Sequence, residues 1–305
     1  MLLSERFTYI HEPKTGGTSV TYALDHLHGG LTNVRISRLR KPALRCGLPG
    51  AAFHPERLRA IRAEQGHEPR KYGRMHNWND HGTCSEIPIG YRSQPILATA
   101  RNPFETYVSL FLFEWWKRPE YLPRYERTIP DFRRRFPTFP DLSFGEYMEL
   151  LHAECELPAN RRLDDPNALG FLTERFVRYY FRLPRAWQRA PWDVAAVLRR
   201  IDDAYIESGR FREDMFPVRF IHTARLNDEL REFLVGFGYD PEDLEFLRTL
   251  KHVLPVGGAR LGFAERAQSA DWPRYYTPAL ADTVARRDRL IFALCPEFGR
   301  AEAGS

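Results

Sequence analysis

Apolar positions along this chain fall into short runs, and at three places a strand-like spacing gives way to a helix-like one. Phe7-Thr8-Tyr9-Ile10 alternates and predicts a half-buried strand, and the spacing from Thr18 through Leu27 predicts a helix directly after it. Pro95 to Ala100 (Pro-Ile-Leu-Ala-Thr-Ala) is a continuous apolar run of the kind found in strands buried on both faces. Arg101-Asn102-Pro103-Phe104 then turns the chain into a helix predicted to run to about Trp116, with Pro103 in the first turn, where its missing N–H costs nothing. On that helix Val108, Phe111, Leu112 and Trp115 share a predicted core face and Ser109 projects from another. Val218 to His222 predicts a third core strand, followed by a helix through Val235 that ends near Gly236-Phe237-Gly238. A last helix is predicted after Asp271-Trp272-Pro273-Arg274-Tyr275-Tyr276-Thr277-Pro278, running to about Cys295 with Leu280, Val284, Ile291 and Leu294 broadly on one face. The fold class expected is α/β, a central parallel sheet flanked by helices.

The stretches between these units are less regular. Residues 29 to 74 are rich in Arg, Gly and Pro and predict loops with a short helix around Pro55 to Glu64. Residues 117 to 192 are crowded with aromatics and prolines; one helix is predicted from Asp165-Pro166 through Phe181 and another from Asp193 to Ser208. An aromatic at helical spacing is core more often than ligand platform, so this region as a whole, rather than any single ring, is assigned to substrate selection. No internal repeat or low-complexity tract is visible.

Charge and cysteines narrow the picture modestly. The 305 residues carry a formal net charge of +5, which favours anionic ligands, but the arginines are dispersed and no nucleic-acid-binding motif is present, so no nucleic-acid partner is expected. Cys46, Cys84, Cys155 and Cys295 are widely spaced, without a metal-type pair, and read as reduced thiols; Cys84 and Cys155 could still meet in the fold. The N-terminus enters the first strand almost at once, and no apolar run approaches the roughly 18 residues of a membrane span. A cytoplasmic protein with no integral membrane segment is the expectation.

The chemistry concentrates at the first strand-to-helix junction. His11-Glu12-Pro13-Lys14-Thr15-Gly16-Gly17-Thr18-Ser19 brings a Lys, two glycines and three hydroxyls to a helix N-terminus, where unpaired backbone N–H groups and the positive dipole end attract an oxyanion. Glycines there allow close approach of the anion to the backbone. A Walker A loop has its Lys after the second glycine, whereas Lys14 precedes both, so an ATP or GTP loop of the usual kind is not matched. This order of residues resembles the 5′-phosphosulfate loop of sulfotransferases that use 3′-phosphoadenosine 5′-phosphosulfate (PAPS), in particular the carbohydrate O-sulfotransferase branch. Arg101-Asn102-Pro103-Phe104-Glu105-Thr106-Tyr107-Val108-Ser109 resembles the 3′-phosphate motif of the same family, an Arg at a strand end with a Ser eight residues on. The Trp-x-x-Tyr-Tyr-Thr-Pro segment before the last helix is also similar to bacterial members.

The resemblance implies a P-loop-like α/β fold in one domain over residues 1–305, with a nucleotide core at about 5–28, 95–116 and 215–296 and helical and loop insertions on the acceptor side at about 29–94 and 117–210. It implies PAPS as sulfuryl donor, bound by Lys14, Thr15, Gly16, Gly17, Thr18, Ser19, Arg101 and Ser109, and a hydroxyl-bearing acceptor, a glycan or glycolipid above all. Lys14 would stabilise the leaving oxygen, and Arg101 offers a planar fork for a phosphate monoester. The general base is sought first at His81, within Met75-His76-Asn77-Trp78-Asn79-Asp80-His81-Gly82-Thr83, where Asp80 could orient it; His76 follows, then His11 or Glu12. No cluster has metal-ligand spacing, so metal-independent transfer is expected. A nucleotide-dependent kinase and an inactive glycan- or anion-binding protein of the same fold are the alternatives. The sequence carries no motif that chooses among acceptors or sets an oligomeric state.

Overall fold

The computed structural model describes residues 1–33, 71–79, 81–155, 167–183, 191–250 and 271–299. The predicted helix at 55–64, Cys46, Asp80, Asp165-Pro166 and Trp187 lie outside them. The chain divides into two compact units, one of Met1–Arg101, Tyr179–Asp193 and Arg212–Gly258, the other of Asn102–Arg178, Val194–Phe211 and Ala259–Ser305.

The first unit is built on a mixed six-stranded sheet: β1 (Leu2–Leu3), β2 (Thr8–Ile10), β3 (Thr32–Asn33), β4 (His76–Asn77), β5 (Ile96–Ala100) and β6 (Val218–His222), in the order β3-β4-β1-β2-β5-β6. The expected all-parallel sheet is thereby corrected. β2, β5 and β6 are parallel, but β1 runs antiparallel to both β2 and β4. The reason is the connection: Ser4-Glu5-Arg6-Phe7 is far too short for a crossover and can only reverse the chain. Ser4 holds this turn, its hydroxyl donating to the Phe7 carbonyl at 2.8 Å and accepting from the Phe7 N–H. β6 has the predicted boundaries but is an edge strand, with only Ile221 buried, and not the core strand expected.

Helix α1 (Gly17–Leu27) follows β2 and buries Val20, Ala23 and Leu24, the positions that its 3.6-residue period places together. These side chains join Phe7, Tyr9, Leu97, Ile221 and the inner face of a second helix (Leu226, Leu230, Phe233, Leu234) in one apolar core.

The second unit is helical, with α2 (Pro103–Leu112), α3 (Phe144–Ala153), α4 (Phe171–Tyr180, which continues into the first unit at Tyr179), and the pair α6 (Pro278–Arg287) and α7 (Arg289–Leu294); α5 (Leu226–Gly236) is the second helix of the first unit's core. α2 begins as predicted, capped by the Asn102 side chain, but ends at Leu112, four residues early, because Glu114 takes a left-handed φ of 51° and a separate turn forms at Trp115–Lys117. Its buried face is Phe104, Tyr107, Val108 and Leu110, with Phe111, Leu112 and Trp115 only partly covered. The predicted last helix is broken at Asp288, whose buried carboxylate accepts from the Tyr107 hydroxyl, the Thr173 N–H and the Thr173 hydroxyl. The helix predicted over 193–208 is likewise two, Pro191–Leu198 and Asp203–Glu207, since Asp202 caps the second by accepting from the Tyr205 N–H. Trp116 and, from the aromatic-rich stretch, Tyr125, Phe132 and Phe136 are core residues of this unit.

Candidate functional site

The parallel strands of the first unit end together. Ile10 pairs with Ala98 and Ala100 with His222, so the loop after β2, Arg101 after β5 and Thr223 after β6 leave the sheet at its C-terminal edge, where open α/β sheets collect ligands.

The loop is held in an unusual backbone shape. Gly16 has φ 90° and Lys14 has φ 67°, a left-handed conformation that costs a side-chain-bearing residue about 1–2 kcal/mol. The side chains of three residues, Thr15, Arg101 and Thr223, fix it. The Thr15 hydroxyl donates to the Glu12 carbonyl at 2.9 Å and pairs with the Thr99 hydroxyl of β5 at 2.7 Å. Arg101 Nη1 donates to the Lys14 carbonyl at 3.3 Å. Thr223 donates to the Ala100 carbonyl at 2.7 Å and sets its methyl where a Gly16 Cβ would lie 2.9 Å away.

α1 then begins with no side-chain cap and no acidic residue in its first turn. By contrast, α3 starts with a full Ser143/Glu146 capping box. The Ser19 N–H is taken by the Gly16 carbonyl at 3.1 Å, but with no side-chain cap the dipole's positive end at the start of the helix still favours an anion, and the absence of a first-turn carboxylate removes the obvious competitor. The residues present therefore fit a phosphate or sulfate group at Gly16–Ser19.

Two histidines border the loop. The His11 ring lies over Gly17, so close that a Cβ there would come within 2.0 Å of His11 Cδ2, and it stacks beside Tyr9. His81 meets His11 edge-on with ring centroids 5.1 Å apart, and its Nδ1 lies 3.3 Å from the His11 carbonyl oxygen. A carbonyl only accepts, so Nδ1 carries the proton and, in the neutral ring, Nε2 is the basic nitrogen. The Tyr179 hydroxyl donates to the His81 carbonyl at 3.4 Å. His81 is exposed.

The remaining expected residues are distributed as follows. Thr15 and Ser19 are buried, Thr18 is half-buried and Arg101 is partly exposed. Glu12 is buried, and its charge adds to the burial that pushes the phenols of Tyr9 and Tyr180 upward. His76 is buried in β4, opposite Leu3 of β1, two strands away from β2. Ser109 is half-buried on α2 of the second unit. Sequence reasoning passed over Thr223, which shapes the loop from β6, and the cluster beside it. There Glu229 accepts from the His222 N–H at 2.6 Å and pairs with Arg225 at 2.7 Å. Burial pushes the Glu229 carboxyl up, but His222 and Arg225 outweigh it and hold the group below the usual carboxylate range. The only signal was position, directly after a strand, and nothing in the residue types marks a Thr as a brace.

The chain matches no known family model, no curated protein and no solved structure. Among the described residues, no helix is long and apolar enough to cross a membrane, and Cys84, Cys155 and Cys295 are buried and form no disulfide, so no bond joins Cys84 to Cys155.

Proposed function

We propose that this protein is a PAPS-dependent O-sulfotransferase acting on a hydroxyl of a glycan or glycolipid. The observation that carries the proposal is the hydrogen bond from Arg101 to the Lys14 carbonyl, which brings together two motifs 87 residues apart at the uncapped end of α1. Charge-complementary groups for the 5′ and the 3′ side of one nucleotide thus share a sheet edge. Among the described residues Cys84, Cys155 and Cys295 form no disulfide, which fits a reducing compartment, the cytoplasm.

In this proposal the first-turn N–H groups of α1 bind the 5′-phosphosulfate and Arg101 grips the 3′-phosphate. The bond between sulfur and the bridging phosphate oxygen breaks as a new bond forms from sulfur to the acceptor oxygen. Lys14 neutralises charge building on the bridging oxygen, and the acceptor proton passes to His81 Nε2. The products are a sulfate ester and adenosine 3′,5′-bisphosphate. The Thr15 hydroxyl also bears on the choice between sulfuryl and phosphoryl transfer. In phosphoryl-transfer loops the hydroxyl after the Lys faces Mg²⁺, whereas here its proton is directed at the Glu12 carbonyl inside the fold.

Thermal stabilisation by adenosine 3′,5′-bisphosphate, beside AMP and ATP with and without Mg²⁺, tests this. A ligand that binds only the folded state raises the melting point by mass action. A metal-independent rise largest for the bisphosphate is expected; a rise confined to ATP with Mg²⁺ would replace the proposal with a kinase.

A further inference from the structure

Lys14 is a β-carbon-bearing residue held in a left-handed conformation, with φ 67°. Gly16, two residues on, adopts the same region at no steric cost, but Lys14 does not. A strained residue persists when its surroundings over-determine it. The surroundings here include the 2.9 Å bond from Thr15 to the Glu12 carbonyl on one side and the Arg101 bond to the Lys14 carbonyl on the other. The second is charge-assisted, comes from a different strand and acts on the strained peptide itself.

We infer that Arg101 is a positioning residue for Lys14 as well as an anion fork. Its guanidinium has five N–H donors, enough to hold the Lys14 carbonyl through Nη1 while the other donors face a phosphate. An anion at Arg101 then orders the same side chain that sets the Lys14 backbone, so occupancy of the 3′-phosphate site and presentation of the Lys14 ammonium are coupled. A ligand with no 3′-phosphate also depends on Arg101, through Lys14. This inference rests on the sulfotransferase proposal for the identity of the ligand, but not for the backbone coupling itself.

The test is a cycle of Arg101→Ala and Lys14→Gly, singly and together, with Arg101→Lys as the conservative variant, titrated with AMP and with adenosine 3′,5′-bisphosphate. Arg101→Ala is expected to weaken AMP about tenfold, the value of one charge-assisted hydrogen bond, and the bisphosphate by more. In the Lys14→Gly background, where the left-handed turn no longer needs holding, removing Arg101 should leave AMP affinity within about twofold. AMP affinity insensitive to Arg101→Ala in the otherwise wild-type protein, or equally sensitive in both backgrounds, overturns the inference. A global loss of stability would not produce a Lys14-dependent split, and Arg101→Lys should restore part of the bisphosphate affinity but little of the AMP affinity. If neither nucleotide binds wild-type protein, the sulfotransferase proposal fails, and the ligand-free melting temperatures of the four proteins of the cycle decide the coupling. Arg101→Ala should then lower the melting temperature less in the Lys14→Gly background than in the wild-type one, and equal lowering refutes it.

Discussion

Replacing Gly17 by Ala puts a methyl group into space that the His11 ring already fills. The added Cβ would sit 2.0 Å from His11 Cδ2, 2.3 Å from Nε2 and 2.7 Å from Cγ. Because even Cγ, next to the ring's root, is too close, a rotation of the ring tip does not relieve the clash. Tyr9 stacks on one side of the ring and His81 meets it edge-on, so a displaced His11 must also move one of them. Gly17 itself has no positive φ, so the backbone accepts Ala and the penalty comes from overpacking, about 1–3 kcal/mol. His11→Ala removes the obstacle. The double variant Gly17→Ala/His11→Ala should therefore be more stable than the sum of the single changes by about 1–2 kcal/mol, within the range for residues in contact. Urea denaturation followed by circular dichroism measures all four proteins. A coupling under about 0.5 kcal/mol, or a Gly17→Ala protein as stable as wild type, would show that His11 does not lie over the start of α1.

Thr15→Val should cost about 1 kcal/mol, by stranding the Glu12 carbonyl and the Thr99 hydroxyl, while weakening nucleotide binding less than Arg101→Ala does; a large affinity loss with stability intact would mean that the hydroxyl serves the ligand. Ser143 and Thr138 hold the Glu146 carboxyl below its usual range, so its contribution is present above the unfolded value of 4.5 and fades as pH falls through the lower native one; Glu146→Gln should differ from wild type at pH 7 and converge with it in acid. Burial, with Arg287 nearby, pushes His152 down to about 3 from 6.5, so the native ring stays neutral where the unfolded chain takes up a proton. Stability is then full above pH 6.5 and falls toward pH 3 by up to about 1.4 kcal/mol per pH unit, and His152→Leu should flatten that slope; an unchanged slope refutes the assignment. Glu154 has the opposite sign: burial, only partly offset by Arg124, pushes it up to about 7 from 4.5, so its contribution is lost as pH rises through 7, and Glu154→Gln should be more stable than wild type at pH 8.

Local order was legible where pattern and backbone chemistry act over a few residues. The run at 7–10, the buried Ile96–Ala100 strand and the glycine pair at 16 and 17 declared β2, β5 and the start of α1, because apolar content and a turn that tolerates φ 90° are properties of the residues themselves; β2 is nevertheless buried on both faces and not half-buried as its alternation predicted, since it lies between β1 and β5 inside the sheet. Breaks in helices were not legible when their cause was distant. Asp288 interrupts the last helix because Tyr107 and Thr173 reach it from 181 and 115 residues away, and no local period records that. The antiparallel β1 escaped notice because two residues cannot show a period, and only pairing with both β2 and β4 makes Leu2–Leu3 a strand. The candidate site divides along the same line. The sequence alone supplied a candidate residue set for an anion at 14–19 and an Arg at a strand end. Tertiary structure decided that Arg101 meets the Lys14 carbonyl, that Thr15 turns inward, that His81 rather than His76 stands beside the loop, and that Thr223 braces it. Each of those outcomes depends on which strand lies next to which, and strand order is fixed by the burial of whole faces rather than by the residues of any one loop.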